Sequence, residues 1–365
     1  MNLRANSSDF LDIFLHDTPL MDVRAPVEFN RGAFPTSQNI PLLDDEQRTL
    51  VGTRYKKAGQ DQAIALGNEL ATPAIKTQHI KAWQSFTQAK PEGLLYCFRG
   101  GLRSRVTQQW LKESGINYPY IEGGYKAMRT YLIEQLQASL NTVPVVLISG
   151  KTASGKTHLL HSLSRHIDLE GLANHRGSSF GAQVTAQPSQ IDFENSLSIN
   201  LLKQKHQHNL PVFMEDEGHL IGQVVITSEM CTAMKTQYPI AILDTPMVER
   251  VQIGIKDYIT ELLPKYQSVY GDQAHDIFSE KILFNLSRIK RRLGGDFHST
   301  LHSQFTDALN ALANGDASGF AQPIETLLSK YYDPMYDYQL QKREGRMLIR
   351  GTREELLHWA EHYRV

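Results

Sequence analysis

The segment 150–157, Gly-Lys-Thr-Ala-Ser-Gly-Lys-Thr, constrains the fold of this 365-residue chain more than any other. It fits the pattern G-x-x-x-x-G-K-[ST], follows the apolar stretch 145–148 and precedes leucines at helical spacing. A strand that runs through a glycine-rich turn into a helix directs successive backbone N–H groups at one anion. The segment therefore predicts a parallel α/β domain that binds a diphosphate group.

Each position of this phosphate loop has an expected task. The backbone N–H groups are expected to surround the diphosphate, the Lys156 ammonium to neutralise its terminal charge, and the Thr157 hydroxyl to coordinate Mg²⁺. The motif leaves open whether ATP or GTP binds or is hydrolysed. The predicted diphosphate-binding residues are Gly150, Lys151, Thr152, Ala153, Ser154, Gly155, Lys156 and Thr157.

A second acidic element is expected after another apolar strand. Asp216, between Glu215 and Glu217, follows the apolar stretch 212–214, and Asp244 follows the stretch 241–243. We favour Asp216, with Glu217 beside it, as the metal or water contact that accompanies Thr157. A solvated strand end is the alternative for either position.

A second glycine-rich loop carries Cys97. The segment Cys97-Phe98-Arg99-Gly100-Gly101-Leu102-Arg103-Ser104 follows an apolar stretch and leads into a helical pattern. A thiol attacks as the thiolate, and cations or a helix N-terminus lower the pKa of cysteine. We therefore predict that Cys97 is a nucleophile that carries sulfur or selenium, with Arg99 and Arg103 as further catalytic residues. A small buried apolar residue at a strand end is the alternative.

Composition narrows the function classes. Two cysteines, Cys97 and Cys231, are too few for a disulfide framework or a cysteine-rich metal site. A net charge of −1 leaves any nucleic-acid binding to local basic clusters. The first 17 residues lack a signal-peptide pattern, and no stretch approaches the ~20 apolar residues of a membrane span. We expect a cytoplasmic protein with no membrane partner.

Length and pattern together predict two domains. We assign residues 1–130 to the first domain, 131–143 to a linker helix, and 144–365 to a phosphate-loop domain with a helical C-terminal part. Strands alternate with helical stretches in both domains, which favours mostly parallel sheets.

Three polar segments are candidates for substrate or RNA contact. The stretch 168–181 offers His175, Arg176 and Ser178, although an ordinary surface loop fits it equally well. Arg291 and Arg292 lie in a basic helix end, where cations also complement the helix dipole. A second basic stretch, with tyrosines nearby that suit base stacking or packing, contains Lys342, Arg343, Arg346, Arg350 and Arg353.

Residues from about 15 to 130 resemble a rhodanese domain. The resemblance implies a covalent persulfide-like intermediate on Cys97, with Asp22 and Arg24 supporting the fold. Arg103 is six residues after the cysteine, whereas many rhodaneses have arginine five residues after it. This spacing also matches the cysteine phosphatases, so phosphatase chemistry is an alternative for this domain, and a wider loop can admit selenium. The matching segments are Asp22-Val23-Arg24-Ala25-Pro26-Val27-Glu28-Phe29, Asn39-Ile40-Pro41-Leu42 and Gly123-Gly124-Tyr125-Lys126-Ala127-Met128.

The order of the two domains, and further segments of the second half, resemble the bacterial tRNA 2-selenouridine synthase family. Among these segments are 172–178, 190–194, 215–217, 288–295 and 331–334. The resemblance implies a transferase that replaces the sulfur of wobble 2-thiouridine in tRNA with selenium from selenophosphate. It also implies an S-geranyl intermediate made from geranyl diphosphate, with Mg²⁺ as a candidate ion. The alternatives are a rhodanese-type sulfurtransferase with a P-loop nucleotide-binding or kinase domain, and an RNA-binding module without catalysis.

Overall fold

The computed structural model of the protein describes residues 4–207, 210–341 and 343–364. Contacts divide the chain into two compact units. Unit 1 comprises Met1–Ser139 and Ser189–His206, and unit 2 comprises Leu140–Pro188 and Gln207–Val365. No helix in the described part of the chain has the length and apolar character that a membrane crossing requires.

Unit 1 is built on short parallel strands, β1 (Leu20–Asp22), β2 (Ser37–Asn39) and β3 (Leu94–Tyr96), in the order β2-β1-β3. Single parallel bridges from Leu95 to Tyr120 and from Ser7 to Ile121 widen this sheet beyond β3. The predicted α/β class with parallel strands is confirmed here. The helices of unit 1 are α1 (Phe10–Leu15), α2 (Pro26–Phe29), α3 (Asp45–Leu70), α4 (Pro73–Ala89), α5 (Leu102–Glu113), α6 (Gly124–Thr142) and α9 (Gln190–His206).

Alternation along the strands gives unit 1 two cores, one on each face of the sheet. Leu20, Leu94 and Tyr96 belong to one core, which α1, α6 and α9 cover. Met21, Leu95 and Cys97 belong to the other, which is closed by α4 and α5. A parallel sheet covered on both faces follows from strands whose side chains are buried throughout.

Helix α9 belongs to unit 1 although its sequence lies far downstream. Asn195 is fully buried and donates to the carbonyl of Ala33 at 2.7 Å, while Asp192 accepts from the Ala33 N–H at 2.7 Å. Ile199 and Leu202 complete the core beside α1. The predicted division, with 144–365 as one domain, therefore differs from the contacts, because this helix buries its apolar face against unit 1.

Helix α6 likewise differs from the predicted linker at 131–143. It starts at Gly124, and its residues Met128 and Leu132 lie in the core of unit 1. Ser198 of α9 donates to the Leu132 carbonyl at 2.6 Å. The first part of α6 is thus a packed element of unit 1.

Unit 2 contains a parallel sheet of strands β4 (Val145–Ser149), β5 (His166–Ile167), β6 (Val212–Glu215), β9 (Ile240–Leu243) and β10 (Met347–Gly351), in the order β10-β9-β4-β6-β5. Strands β7 (Leu220–Ile221) and β8 (Val224–Val225) form a separate hairpin. Because β4 lies between β6 and β9, its C-terminal end is the point where the strand order reverses, which is where α/β sheets bind ligands. The phosphate loop begins there.

Helices surround this sheet and form a second, helical core. The helices are α7 (Lys156–Leu160), α8 (Leu169–Leu172), α10 (Ser228–Thr236), α11 (Met247–Ile255), α12 (Leu263–Tyr270), α13 (Ala274–Arg288), α14 (Lys290–Leu293), α15 (Gly295–Leu312), α16 (Ala321–Leu327), α17 (Asp333–Gln341) and α18 (Arg353–His362). Phe278, Phe305 and Phe320 lie at the centre of the helical core. Two π-helical stretches, Lys256–Thr260 and Leu328–Tyr332, follow α11 and α16.

We predict that Asn195→Ala lowers the free energy of unfolding by about 1–3 kcal/mol, because the buried Ala33 carbonyl loses its side-chain donor and Arg129 loses one of its acceptors. Asn200→Ala on the same helix is the matched control, since its amide bonds only to the Ser196 carbonyl within that helix. Urea unfolding of both variants measures the difference. Equal loss in the two variants would contradict the anchoring role of Asn195.

Candidate functional site

Cys97 lies directly after β3 and is 3% exposed. The loop turns at Gly100, whose φ is +60°, and α5 begins at Leu102, so the predicted strand, loop and helix order is confirmed. The Cys97 carbonyl accepts the Tyr125 N–H and the Phe98 carbonyl accepts the Lys126 N–H, both at 2.9 Å. These bonds fix the cysteine loop against the start of α6.

Close backbone approach explains two glycines at this contact. A Cβ on Gly100 would lie 2.5 Å from the Ile121 carbonyl oxygen, and one on Gly124 would overlap the Cys97 carbonyl oxygen. Gly101 has open space around it and a negative φ. Gly100 and Gly124 are thus the positions of this contact at which a side chain cannot be accommodated.

A cleft of about 930 Å³ opens over the cysteine loop. Basic side chains dominate its charged lining, whereas Glu28 is its one carboxylate among the described residues. The basic residues of the lining are Arg24, Arg31, Arg48, Lys56, Arg99 and Arg103. A cleft of this charge favours small, multiply charged anions.

Glu28 positions Arg103 at this cleft. The Arg103 guanidinium contacts both carboxylate oxygens of Glu28, at 2.6 and 3.2 Å. Burial alone would raise the pKa of Glu28, but the hydrogen bond and charge of Arg103 outweigh it, and the pKa is lowered. Arg103 is therefore held as a paired cation, which sequence spacing did not indicate.

Asp22 and Arg24 form a buried ion pair below the cleft, with an N–O distance of 2.6 Å. The Arg24 guanidinium also lies 3.9 Å from the Tyr125 ring centre and donates to the Gly32 carbonyl. This pair connects β1, the segment after it and α6 from within the core.

In unit 2 the phosphate loop follows β4 and leads into α7, as predicted. Gly150, Ala153 and Gly155 have φ values of +154°, +59° and +82°. The Lys156 ammonium donates to the carbonyls of Gly150 and Lys151, at 3.0 and 3.3 Å. The lysine thus lies across its own loop.

Three contacts from distant segments hold the loop in shape. Buried Arg250 donates to the Thr152 carbonyl at 3.0 Å and forms a two-point ion pair with Asp333. Thr245 donates to the Ser154 carbonyl at 2.8 Å. Lys151 pairs with Asp337 at 3.0 Å. Helices α11 and α17 therefore support the loop, and the Lys151 ammonium is paired with a carboxylate.

Carboxylates gather on the other side of Lys156. The Thr157 hydroxyl donates to Glu170 at 3.2 Å, and the Ser149 hydroxyl donates to Asp216 at 2.7 Å. Burial and the nearby Glu170 raise the pKa of Glu217 to about 8. Burial would lower the pKa of Lys156, but Tyr336 and the carboxylates raise it.

Asp216 and Asp244 differ in their neighbours. Asp216 faces the loop through Ser149 and is paired with Arg343 at 2.5 Å. Asp244 is half-exposed and pairs with Arg350 at 2.6 Å. Thr157, Asp216, Glu170 and Glu217 supply the hard oxygen ligands that Mg²⁺ prefers. In the described residues, the one group of three or more acidic or histidine side chains whose ligand atoms all lie within 4.8 Å of one another is His358, Glu361 and His362, which are exposed and remote in sequence from the loop.

Comparison with known proteins covers both units. The family model "tRNA 2-selenouridine synthase AAA domain" matches residues 143–365. A tRNA 2-selenouridine synthase of Marinobacter nauticus is 48% identical over 362 residues, which cover 99% of this chain and 98% of that one. Those of Shewanella sediminis and Pseudomonas fluorescens are each 45% identical, over 98% and 96% of this chain and 97% and 96% of theirs. This chain belongs to the tRNA 2-selenouridine synthase family.

One solved structure also matches, the N-terminal domain of a putative ATP/GTP binding protein from Clostridium difficile 630. It is 28% identical, covers 32% of this chain and 89% of its own, and superposes with a TM-score of 0.30. That score is too low to support any conclusion about the fold of this family member.

The remaining predicted contact residues lie in unit 2 of this synthase-family chain. His175 is half-buried, and burial lowers its pKa. Arg176 pairs with Asp257 at 2.5 Å, and Ser178 accepts the Phe180 N–H at 3.2 Å. Arg291 and Arg292 are exposed on α14. Only these two arginines present free guanidinium groups among the five candidates.

The second basic stretch is used largely within unit 2. Arg346 donates to the carbonyls of Met234, Lys235 and Tyr238, and Arg353 donates to Ser162. With Arg343 and Arg350 paired to aspartates, little of this charge is free for RNA. Lys342 lies outside the described residues. Cys231 is buried on α10 and contacts the Ile226 carbonyl, as expected of a structural thiol.

Several residues of the phosphate site were missed from the sequence of this family member. They are Glu170, Arg250, Asp333, Tyr336 and Arg343, which reach the loop from other segments. Glu170 lies within the segment predicted to contact substrate, but no motif marks it. Arg343 lies in the basic stretch considered for RNA contact, but no local signal marks its pairing with Asp216. Arg250, Asp333 and Tyr336 carry no local signal for their contacts with the loop.

We predict that Gly100→Ala lowers the free energy of unfolding by at least about 2 kcal/mol, because a Cβ there meets backbone oxygen and nitrogen at a positive φ. Gly101→Ala is the matched control and is expected to change stability by less than about 1 kcal/mol. Thermal melts of both variants measure this. Equal effects would refute the packing of the loop on residues 121–124.

We also predict a pH-dependent gain in stability for Glu217→Gln. The pKa of this carboxyl is about 8 in the folded chain, above its ordinary value of 4.5. Between those values the unfolded state releases the proton first, so wild-type stability falls as pH rises, at up to about 1.4 kcal/mol per pH unit. The Glu217→Gln variant has no carboxyl at this position, so its stability does not fall with pH for this reason.

Unfolding by urea at about pH 5 and pH 8 tests this, with the exposed Glu229→Gln as control. The stability of Glu217→Gln relative to wild type should increase between the two pH values, while that of the control stays constant. Parallel profiles for all three proteins would rule out a raised Glu217 pKa.

Proposed function

We propose that this chain replaces the sulfur of wobble 2-thiouridine in tRNA with selenium, through an S-geranyl intermediate. One observation carries the proposal. Relatives named tRNA 2-selenouridine synthase match 96–99% of the chain, so the likeness includes both the cysteine loop and the phosphate loop. The alternative, a rhodanese-type sulfurtransferase with a P-loop nucleotide-binding or kinase domain, would also have both loops, but these relatives are not named for that activity.

In the proposed first step, the phosphate loop of unit 2 binds the diphosphate of geranyl diphosphate. The tRNA sulfur attacks the first carbon of the geranyl group and displaces diphosphate. Lys156 and the backbone N–H groups of residues 151–157 stabilise the negative charge that develops on the leaving group. Thr157 and Asp216 are the proposed ligands of a Mg²⁺ ion bound with the diphosphate, which requires Arg343 to leave Asp216.

In the proposed second step, the cleft of unit 1 binds selenophosphate. Its basic lining suits a small dianion, and Glu28 keeps Arg103 directed at the cleft. The geranylated sulfur is a better leaving group than the sulfur of C=S, so selenium can replace it at C2. The selenium of selenophosphate attacks C2, geranylthiolate leaves, and water then takes the phosphate group from selenium. Cys97 orients the donor in this step, with Arg99 and Arg103 binding the phosphate group.

The proposed division of labour assigns selenium to a rhodanese-like unit 1 and the prenyl diphosphate to a P-loop unit 2. Contact with the tRNA is proposed for exposed Arg291 and Arg292, with His175, Arg176 and Ser178 bordering the phosphate site. Arginine pairs on a helix end are suited to phosphate contacts. The reaction would take place in the cytoplasm, where tRNA and selenophosphate are both supplied.

We predict that Lys156→Ala reduces geranylation of 2-thiouridine tRNA by at least about 100-fold, because the departing diphosphate loses its principal cation. Cys97→Ala should block selenation and spare geranylation. The measurement is nucleoside mass spectrometry after incubation with 2-thiouridine tRNA, geranyl diphosphate and selenophosphate.

Cys231→Ala is the control for removal of a buried thiol and should retain both reactions. Intact selenation in Cys97→Ala would eliminate the proposed role of the thiol. If the wild-type protein formed neither modified nucleoside but hydrolysed ATP or produced thiocyanate, the synthase function itself would be rejected.

A further inference from the structure

An apolar pocket adjoins the phosphate loop within unit 2. Its lining begins at Thr152 and Ala153 of the loop and continues into the helical core. The cavity within this lining has a volume of about 50 Å³ and is partly open to solvent. Deeper lining residues include Ile259, Ile282, Phe305, Ile324, Leu327 and Leu328.

The surface of the pocket consists almost entirely of hydrocarbon groups. No charged side chain lines the pocket in the described part of the chain. The hydroxyl of half-buried Tyr258 is hydrogen-bonded to Ser178, so one of the few polar groups of the lining already has a partner. Phe180 and Phe305 form a stacked pair at one wall, with ring centres 6.3 Å apart.

Two backbone features border the pocket, a pair of π-helical stretches and a glycine between two helices. Both π-helical stretches of the chain's described residues contribute to it, through Tyr258 and Ile259 in one and Leu328 and Tyr332 in the other. Gly254 leaves space between α11 and α16, since a Cβ there would lie 3.2 Å from the Ile324 side chain and 3.9 Å from Ala153. π-Helical turns are rare and occur frequently at functional sites.

The position of the pocket relates it to the diphosphate. Thr152 and Ala153 belong to the loop whose backbone is expected to surround the phosphates, and Arg250 fixes the carbonyl of Thr152. A ligand with a diphosphate in the loop can therefore extend an attached group directly into the pocket. An amphiphilic diphosphate ester matches both halves of this arrangement.

We propose that this pocket binds the hydrocarbon chain of the prenyl diphosphate and limits its length. The inference rests on the proposed function for its substrate, and adds the place and the selectivity of the chain. A nucleoside is a poor occupant, because the polar edges of a base would lose hydrogen bonds to water and meet few partners on these walls, such as the Tyr332 hydroxyl. A branched C10 hydrocarbon chain has no hydrogen bonds to lose, and its removal from water is favourable.

The test measures binding by calorimetry, without tRNA, for inorganic diphosphate and for dimethylallyl, geranyl and farnesyl diphosphate. Wild-type protein should bind geranyl diphosphate at least about 10-fold more tightly than inorganic diphosphate, because each buried methylene contributes severalfold to affinity. Ile324→Phe should abolish this preference and leave inorganic diphosphate binding unchanged. Ile277→Phe, the same substitution at a half-buried residue of α13 outside the pocket, should behave as wild type.

A second variant tests the pocket in the opposite direction. Phe180→Ala removes part of one wall and should raise affinity for farnesyl diphosphate relative to geranyl diphosphate. Melting curves establish that each variant is folded.

Two results would overturn the assignment: equal affinity of wild-type protein for inorganic and geranyl diphosphate, or a geranyl preference retained in folded Ile324→Phe and unchanged in Phe180→Ala. The proposed function fails separately, if wild-type protein binds geranyl diphosphate as described but forms no geranylated or selenated tRNA.

Discussion

Burial of the Lys156 ammonium at the end of β4 is the constraint on which the phosphate site depends. Burial opposes its charge, and the carboxylates of Asp216, Glu217 and Glu170 compensate. Burial and the repulsion among those carboxylates raise the pKa of Glu217 to about 8. The site therefore places several carboxylates close to one ammonium group. A bound diphosphate adds negative charge and shifts the pKa of each of these groups.

The two glycine-rich loops are prepared for anions in different ways. The cysteine loop of unit 1 borders an open cleft with an excess of basic side chains, and Glu28 orients Arg103. The phosphate loop of unit 2 has its cations engaged internally, Lys151 with Asp337 and Lys156 with loop carbonyls. A ligand that binds there must replace the internal partners of these two lysines. Its affinity therefore depends on how well its negative charge compensates for the contacts that are lost.

Local sequence predicted both loops, because strand, glycine turn and helix are adjacent in the chain and the turn residues have defined backbone requirements. The same reasoning located three of the five parallel strands of unit 2, β4, β6 and β9, but not β5 and β10. It missed α9, since its attachment to unit 1 depends on Asn195 and Ala33, which are 162 residues apart. It assigned Arg343 to a basic stretch suited to RNA contact and missed its pairing with Asp216, which is 127 residues away. Such long-range partners carry no periodic or motif signal, and only tertiary packing brings them together.

The central claim is that one chain carries two separable chemistries, alkylation at the phosphate loop and selenium transfer at the cysteine loop. The most direct test supplies tRNA that already contains S-geranyl-2-thiouridine, with selenophosphate but no geranyl diphosphate, to Lys156→Ala. The account predicts that this variant forms 2-selenouridine at close to the wild-type rate, measured by nucleoside mass spectrometry. A folded Lys156→Ala protein that cannot convert the geranylated tRNA would contradict it, because the phosphate loop would then be needed for both steps.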